Sequence, residues 1–274
     1  MRARITGEAT VLGIVGRPVA HSLSPVIHNA WIEAAGLDAA YLPFAPPDDA
    51  GFQTLVAAGR AGMIRALNVT APFKEQAFAG ADEASEAARL TGSANILLFE
   101  KGRIHADSSD GAGLLSALQT QAPDLVLNGA RVVLLGAGGA ARAGAGALVQ
   151  AGAQVRIVNR TRERAEALAA DLGRGVEVCG DEAPDDADLV INALSIRPDF
   201  DLARLRADAV VMDMTYRPVV TPFLQAARTR GLVTVDGLAM LIGQAAPLFE
   251  AAFGRAPPPL DLRMLLIRHL EAVA

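Results

Sequence analysis

Short apolar runs rich in β-branched residues alternate with longer, alanine-rich amphipathic segments along the whole chain. The period of the apolar positions predicts strands at residues 11–15, 40–44, 63–69, 94–99, 103–105, 131–135, 154–158, 176–178, 188–192 and 209–212. It predicts helices at residues 24–35, 47–59, 73–79, 81–90, 111–121, 140–151, 162–171, 221–230, 238–252 and 260–272. Continuous apolar strands separated by helices are typical of parallel sheets covered on both faces, so the expected fold class is α/β.

The alternation of strands and helices starts afresh in the second half of the chain, where residues 128–135 form the most apolar strand. We therefore expect two α/β domains with a boundary near Ser109 and a connecting helix at residues 111–121. After the stiff turn at residues 254–259, the last helix is expected to return to the first domain. The predicted division is residues 1–109 plus 244–274, and residues 110–243.

Composition narrows the class of protein. Hydrophobic residues make up 51% of the 274 positions, and the formal net charge is -5 with acids and bases interspersed. This balance argues against a nucleic-acid-binding surface. Cys179 is the only cysteine, which excludes a disulfide within one chain. Neither a secretory signal nor an apolar stretch of about 20 residues is present, so we expect a cytoplasmic enzyme or binding protein without a membrane partner.

Lysine is rare in this chain. Of 25 basic residues, only Lys74 and Lys101 are lysines, and the others are arginines. Lysine can release its proton in a protein whereas arginine cannot. A lysine in a distinctive segment is therefore a candidate for proton transfer, although a surface charge at a helix start is the alternative for Lys74.

A glycine motif follows the predicted strand at residues 131–135. Residues 132–141 read V-V-L-L-G-A-G-G-A-A, which places Gly136, Gly138 and Ala141 at the three positions of the dinucleotide-binding fingerprint. The backbone N–H groups of Gly139 and Ala140 are expected to line the anion site at the start of the following helix. An ordinary strand-to-helix turn is the alternative.

The end of the next strand favours NADP over NAD. An NAD site usually has an acidic residue about 20 positions after the first glycine. Here the strand ends in Asn159, Arg160 and Thr161, and Arg164 follows. Arginine suits the 2′-phosphate of NADP through charge-assisted hydrogen bonds. A solvated helix start with Thr161 as its N-cap is the alternative.

Two further segments carry small polar residues in loops after strands. Residues 16–29 read G-R-P-V-A-H-S-L-S-P-V-I-H-N, and residues 68–74 read N-V-T-A-P-F-K. With S-D-G-A-G at 109–113, N-R-T at 159–161, D-M-T-Y-R-P at 213–218 and D-G-L-A-M-L-I-G-Q-A-A at 236–246, the chain resembles the shikimate dehydrogenase family over nearly its whole length.

The resemblance implies a substrate domain with a mostly parallel sheet, a Rossmann-like NADP domain and an active site in the cleft between them. It implies the interconversion of 3-dehydroshikimate and shikimate, a step toward aromatic amino acids, by a monomer or homodimer. It assigns catalysis to Lys74 and Asp110, the substrate carboxylate to Ser22 and Ser24, and a nearby position to Tyr216. The implied ligands of the substrate hydroxyls are Thr70, Asn95, Ser109 and Gln244, and Gly237 is placed near the nicotinamide.

The expected chemistry agrees with this assignment. Hydride transfer to a ketone leaves an alkoxide that needs a proton, and a lysine held near an aspartate can supply it. Asp110 also suits the N-cap of a helix that starts at Gly111. The four histidines do not have the spacing of a metal motif, so we expect no metal.

Some positions differ from the family pattern. Ser108 and Ile96 stand where an asparagine and a threonine are usual, Leu194 replaces a threonine, and Arg217 and Ala252 replace an asparagine and a tryptophan. These differences leave open a quinate or aminoshikimate dehydrogenase on the same fold and a catalytically silent NADP-binding regulator. A methylenetetrahydrofolate dehydrogenase-like enzyme, which also pairs a lysine-bearing domain with an NADP domain, is a further alternative, although the serine motif and Asp110 argue against it. Ser22 and Ser24 together favour shikimate, because a threonine at either position is associated with quinate.

Overall fold

A computed structural model describes residues 5–180 and 186–272. The chain divides into two compact units. The first unit comprises Met1–Ser109 and Ala245–Ala274, and the second comprises Asp110–Gln244. Gln244 thus groups with the second unit, whereas the sequence places it in the first. Along the described part of the chain, no helix is both long and apolar enough to cross a membrane.

The strands and helices alternate as the sequence predicts. The strands are β1 Thr10–Val15, β2 Ala39–Phe44, β3 Ala66–Val69, β4 Glu83–Ala84, β5 Ile96–Glu100, β6 Arg103–Asp107, β7 Arg131–Leu135, β8 Gln154–Val158, β9 Val176–Val178, β10 Leu189–Asn192, β11 Val210–Asp213 and β12 Val233–Asp236. The helices are α1 Ser24–Ala34, α2 Asp49–Arg60, α3 Lys74–Ala79, α4 Glu86–Thr91, α5 Asp110–Gln121, α6 Gly139–Gln150, α7 Arg162–Leu172, α8 Pro222–Thr229, α9 Gly237–Gly243, α10 Ala246–Phe253 and α11 Leu262–Ala272.

The sheet of the first unit has the order β2-β1-β3-β5-β6-β4. Strands β2, β1 and β3 are parallel, whereas β5 is antiparallel to both of its neighbours. Because β5 runs the opposite way, its first residue lies beside the end of β3 and opposite Asp107, the last residue of β6. The loops after β1, β3 and β6 and the loop before β5 therefore meet at one edge of this sheet.

The second unit has a six-stranded parallel sheet in the order β12-β11-β10-β7-β8-β9. Alternate residues of β7 enter separate hydrophobic cores: Val132 and Leu134 pack on one face, and Val133 and Leu135 on the other. This pattern is the burial on both faces that the continuous apolar run of β7 predicts. The α/β class with mostly parallel sheets is confirmed.

Three segments differ from the sequence prediction. Residues 83–84 of the predicted helix 81–90 instead pair with β6, and α4 starts only after Ser85, whose hydroxyl accepts the Ala88 N–H at 3.1 Å. The predicted helix 238–252 is two helices, α9 and α10, separated at Gln244 and Ala245. Strand β12 was not predicted, because Val233–Asp236 is a short segment that owes its conformation to pairing with β11.

A cluster of ion pairs lies at the amino ends of the central strands of the second sheet. Arg131 at the start of β7 donates two hydrogen bonds to Asp188, at 3.1 and 3.0 Å, and a third to Asp186 at 2.8 Å. Asp188 also accepts the backbone N–H of Arg131 at 2.9 Å, and Arg206 approaches it at 3.2 Å. Hydrogen bonding to Arg131 holds the pKa of Asp188 below its usual value.

We expect Asp188→Asn to lower the free energy of unfolding by about 1–2 kcal/mol at pH 7, because the fork from Arg131 loses its charged acceptor. A carboxyl with a lowered folded-state pKa stabilises the fold above its unfolded pKa and loses that contribution as the pH falls through the folded pKa. The difference between the two proteins should therefore shrink below about pH 4. Urea titrations at several pH values measure it, with exposed Asp124→Asn as the control. A difference that is independent of pH would contradict this account.

Candidate active site

Two serines lie on one turn after β1. Ser24 begins α1, and its backbone N–H donates to the Ser22 hydroxyl at 3.2 Å. Pro25 follows within the first turn, where its missing N–H costs no helical hydrogen bond. The side chain of Ser24 is buried and that of Ser22 half-buried. The turn thus places two hydroxyls beside the N-terminus of an eleven-residue helix, an arrangement that suits a carboxylate.

The loop after β3 carries Thr70 and Lys74. The Thr70 N–H donates to the carbonyl of Val15 at 2.9 Å, which fixes this loop beside the end of β1. Lys74 begins α3, is half-buried, and its carbonyl accepts the N–H of Ala94 at 3.0 Å. The backbone thereby connects Lys74 to the residue that precedes Asn95.

Asn95 and Ser109 form a buried reciprocal pair. The amide of Asn95 donates to the Ser109 hydroxyl at 3.1 Å, and its oxygen accepts the Ser109 backbone N–H at 2.9 Å. The antiparallel pairing of β5 with β6 causes this contact, since Asn95 precedes β5 and Ser109 follows β6. The sequence predicts both residues as site residues but not that they bind each other.

A polar cluster of His28, Tyr41 and Asn68 was not predicted. The Tyr41 hydroxyl donates to the Asn68 side-chain oxygen at 2.7 Å, and the Asn68 amide donates to the carbonyl of Asn95 at 3.2 Å. The ring of His28 stacks on that of Tyr41, with centroids 4.3 Å apart and planes 5° from parallel. Burial lowers the pKa of His28 to about 3, against a smaller opposite effect of Asn68, and burial raises that of Tyr41. The motif letters I-H-N and N-V-T include His28 and Asn68, but nothing in the sequence pointed to Tyr41.

The carboxyl ends of five strands meet in register in the second unit. Their last residues, paired across the sheet, are Val158, Leu135, Asn192, Asp213 and Asp236. The residues that follow them begin the loops that contain most of the predicted cofactor ligands. In open α/β sheets this edge is where ligands bind.

The glycine loop leaves the start of α6 open. Gly136 has φ of 116°, a conformation that favours glycine, and its N–H donates to the carbonyl of Val158 at 2.8 Å. Gly138 is the N-cap and provides no side-chain bond to the helix. A Cβ placed on Gly138 or Gly139 meets no atom within 4 Å, so both face open space. The free N–H groups of the first turn, including those of Gly139 and Ala140, therefore fit a pyrophosphate.

Three arginines follow the end of β8. Arg162 is paired with Glu166 at 2.7 Å, whereas Arg160 and Arg164 are exposed and have no carboxylate partner among residues 5–180 and 186–272. The Asn159 amide donates to the carbonyl of Thr161 at 2.8 Å. Thr161 is the N-cap residue of α7, but its side chain makes no capping hydrogen bond. Helix capping by the side chain therefore does not explain why a threonine stands at position 161.

A buried carboxylate joins two loops at the same edge. Asp213 accepts hydrogen bonds from the Asn192 amide at 3.1 Å, the Thr215 N–H at 3.0 Å and the Thr221 hydroxyl at 2.7 Å. Asn192 in turn accepts the N–H of Leu194 at 3.1 Å. Asn192 and Asp213 therefore fix the loops after β10 and β11. The sequence motif included Asp213 but did not indicate this role.

Tyr216 lies in the second of these loops, and Gly237, the first residue of α9, packs against the backbone of the same loop. A Cβ at Gly237 would lie 2.2 Å from the carbonyl oxygen of Met214, so only glycine lets the start of α9 approach this backbone. Burial raises the pKa of Tyr216, although the charge of Arg217 acts in the opposite direction.

Asp110 and Gln244 lie near each other within the second unit. Asp110 is buried and is the first residue of α5, so the helix includes the residue that the sequence suggests as its N-cap. Gln244 follows α9, and its Cβ lies 2.8 Å from a Cβ placed on Gly113, in the first turn of α5. Lys74 belongs to the other unit. Among the residues that the structure describes, no cluster of three or more His, Cys, Asp or Glu is arranged to hold a metal ion.

Comparison with known proteins gives consistent matches. A model of the shikimate dehydrogenase substrate binding domain matches residues 14–97, and a model of shikimate / quinate 5-dehydrogenase matches residues 117–196. The chain is 51% identical to a shikimate dehydrogenase (NADP(+)) of Caulobacter vibrioides, over 100% of both sequences.

Two solved structures are also similar. One is a shikimate dehydrogenase in complex with NADP+, with a TM-score of 0.90 and 31% identity over 100% of this chain and 99% of that one. The other is the shikimate 5-dehydrogenase of Thermus thermophilus in complex with NADP(H) and shikimate, with a TM-score of 0.84 and 33% identity over 94% of this chain and 99% of that one.

Proposed function

The chain belongs to the shikimate dehydrogenase family, and we propose that it interconverts 3-dehydroshikimate and shikimate with NADP as the hydride carrier. The observation that carries this proposal is the 51% identity, over the full length of both chains, to a relative named as an NADP(+)-dependent shikimate dehydrogenase. The intact site residues at the loop edges of both sheets support it, because they supply hydroxyls, amides, a lysine and an open anion site.

In this proposal the first unit binds the substrate. Ser22 and Ser24 donate to the ring carboxylate, and Thr70, Asn95 and Ser109 bind ring hydroxyls. The mutual hydrogen bonds of Asn95 and Ser109 support this role, because they fix the direction of both side chains before a ligand arrives. Tyr216 and Gln244, which belong to the second unit, are the remaining proposed substrate ligands.

The second unit holds the cofactor. Gly136, Gly138, Gly139 and Ala140 would hold the pyrophosphate, and Gly237 would face the nicotinamide. Asn159 and Thr161 would bind the adenosine ribose, and Arg160 and Arg164 would bind the 2′-phosphate. The two arginines fit that role because no carboxylate of the described residues neutralises them. When bound, NADP supplies or accepts the hydride at the ring carbon.

Lys74 and Asp110 are the residues responsible for proton transfer in this proposal. In reduction the Lys74 ammonium donates a proton to the carbonyl oxygen as the hydride reaches its carbon, which leaves a neutral alcohol and a neutral amine. In oxidation the amine takes the hydroxyl proton back. Asp110 is the proposed second member of this catalytic pair. Retention of both residues argues against a silent cofactor-binding regulator.

We expect Lys74→Met to lower kcat by about 10²- to 10⁴-fold, the usual contribution of a general acid–base group, while the affinity for NADPH stays unchanged. Stopped-flow turnover and a fluorescence titration of NADPH measure the two quantities. Lys101→Met is the matched control, since Lys101 is the only other lysine and lies in the turn between β5 and β6. Near-full turnover in the Lys74 variant would show that the catalytic assignment is wrong.

Arg160→Ala is expected to raise the KM for NADP by about 10- to 100-fold and to leave that for NAD nearly unchanged, because only NADP loses a charged hydrogen-bond partner. Arg162→Ala serves as the control, because Glu166 already pairs with that side chain. Steady-state kinetics with both cofactors measure the change. An equal loss with NADP and NAD would mean that Arg160 does not read the 2′-phosphate.

A spectrophotometric screen of shikimate, quinate and aminoshikimate with NADP and with NAD tests the function itself. We expect kcat/KM for shikimate with NADP to exceed that for quinate by about 5- to 150-fold, since the extra quinate hydroxyl must be buried without a partner. A preference for quinate would favour the alternative enzyme on the same fold. Absence of turnover with all three acids would reject the proposed function.

A further inference from the structure

Gln121, the last residue of α5, has no role in the site described above, yet it binds Asp236 twice, across 115 positions of the chain. Its amide donates to the Asp236 carboxylate at 3.1 Å, and its side-chain oxygen accepts the Asp236 backbone N–H at 2.9 Å. Asp236 is buried and caps α9, since its carboxylate also accepts the Ala239 N–H at 3.0 Å. Gln121 thus holds both the side chain and the backbone of the residue from which α9 starts.

Helices α5 and α9 lie side by side and antiparallel. The start of α5 contacts the end of α9, because a Cβ placed on Gly113 would lie 2.8 Å from both the Met240 carbonyl oxygen and the Gln244 Cβ. A Cβ placed on Gly243 would lie 2.8 Å from the Ser116 Cβ. Glycines therefore allow the two backbones to approach closely over one half of the pair. At the opposite end, the side-chain hydrogen bonds between glutamine and aspartate join the same two helices.

Gly237, the residue after the cap, is confined on a second side. A Cβ at this position would lie 2.2 Å from the Met214 carbonyl oxygen, so the two backbones are in direct contact. The loop that carries Met214 is itself fixed, because the Thr215 N–H donates to the buried Asp213 carboxylate at 3.0 Å. The place of Gly237 against this fixed loop is therefore set by the start of α9, which Gln121 holds.

We propose that Gln121 is a positioning residue for the nicotinamide, because by holding Asp236 it fixes Gly237 relative to Asp110 and Gln244. Asp110 begins α5 and Gln244 follows α9, so both lie at the far end of the same helix pair. The proposal rests on the proposed function, since it takes Gly237 as a neighbour of the nicotinamide. Gln121 touches neither substrate nor cofactor in this account. Hydride transfer depends steeply on the distance and angle between the reacting carbons, so a small shift of Gly237 slows it.

The first test removes both hydrogen bonds while keeping the length of the side chain. In Gln121→Met we expect the single-turnover rate of hydride transfer, at saturating shikimate and NADP, to fall about 10-fold. The inhibition constant of adenosine 2′,5′-bisphosphate, which carries the phosphate end of the cofactor but no nicotinamide, should stay within about 2-fold of wild type. Stopped-flow absorbance measures the rate, and competition against NADP measures the inhibition constant. A loss confined to the nicotinamide end distinguishes positioning from general damage to the cofactor domain.

The second test exchanges the two partners. Gln121→Glu keeps an acceptor for the Asp236 N–H but places a second carboxylate opposite that of Asp236, so we expect hydride transfer to slow at least as much as in Gln121→Met. Adding Asp236→Asn restores the pair with donor and acceptor reversed. The new amide at position 236 donates to the new carboxylate at position 121, and its oxygen still accepts the Ala239 N–H. The double variant should recover to within about 3-fold of the wild-type rate.

Asp188→Asn is the control for lost stability in the same unit, since its ion pairs lie at the amino edge of the sheet, away from α9. We expect it to lower Tm without changing the rate of hydride transfer. If Gln121→Met does not fold, Gln121→Glu and the exchanged pair decide the question by themselves.

Three results would overturn the role of Gln121: a wild-type rate of hydride transfer in Gln121→Met, an equal loss of affinity for adenosine 2′,5′-bisphosphate, or an exchanged pair that folds but stays as slow as Gln121→Glu. Wild-type turnover is measured first, on whichever ring acid is preferred. If the wild type is active and Gln121→Met matches it, only this inference is wrong. If the wild type uses none of the acids, the proposed function and this inference are both wrong.

Discussion

A strand covered by helices on both faces can carry polar side chains only where it ends, because an unpaired polar group inside the layers costs about 1–3 kcal/mol. The second unit follows this constraint closely. Residues Val132–Leu135 of β7 are buried in two cores, and the polar residues Asn192, Asp213 and Asp236 appear at the last positions of their strands. Since all six strands are parallel, these ends lie in one row. The ligand-binding edge is therefore a consequence of the burial that stabilises the sheet.

The parts of this fold that depend on local pattern could be predicted from the sequence. The apolar run of β7, the glycine loop and the start of α6 were predicted within one residue, because periodicity and glycine conformation are local properties. The antiparallel course of β5 and the short strands β4 and β12 depend on pairing with other strands, which no local pattern encodes. The contact between Asn95 and Ser109 could not be predicted either, because it follows from the antiparallel pairing of β5 with β6.

The candidate site divides in the same way. Residues that resemble a family motif were identified from the sequence, whereas the residues that orient them were not. Tyr41 and Asp213 are buried and Asn68 is half-buried, and each side chain makes hydrogen bonds that only the folded sheet creates; in the sequence they look like ordinary strand residues. Their importance comes from what lies across the sheet, and a tyrosine on an edge strand gives no sign that its hydroxyl reaches two strands away. Such supporting residues determine how accurately the ligands are held.

The departure at Leu194 shows how this support limits the effect of a substitution. A Cβ placed on Gly136 would lie 3.0 Å from the Leu194 side chain, so this leucine packs against the glycine loop where the family pattern has a hydroxyl. The course of its own loop does not depend on that side chain. The Leu194 N–H donates a hydrogen bond to the Asn192 side chain, and the Asn192 amide donates to Asp213. These two bonds fix the backbone at position 194 whichever side chain stands there. The substitution thus changes the surface beside the glycine loop from polar to apolar, while the geometry of the loop is preserved by two buried residues that the chain retains.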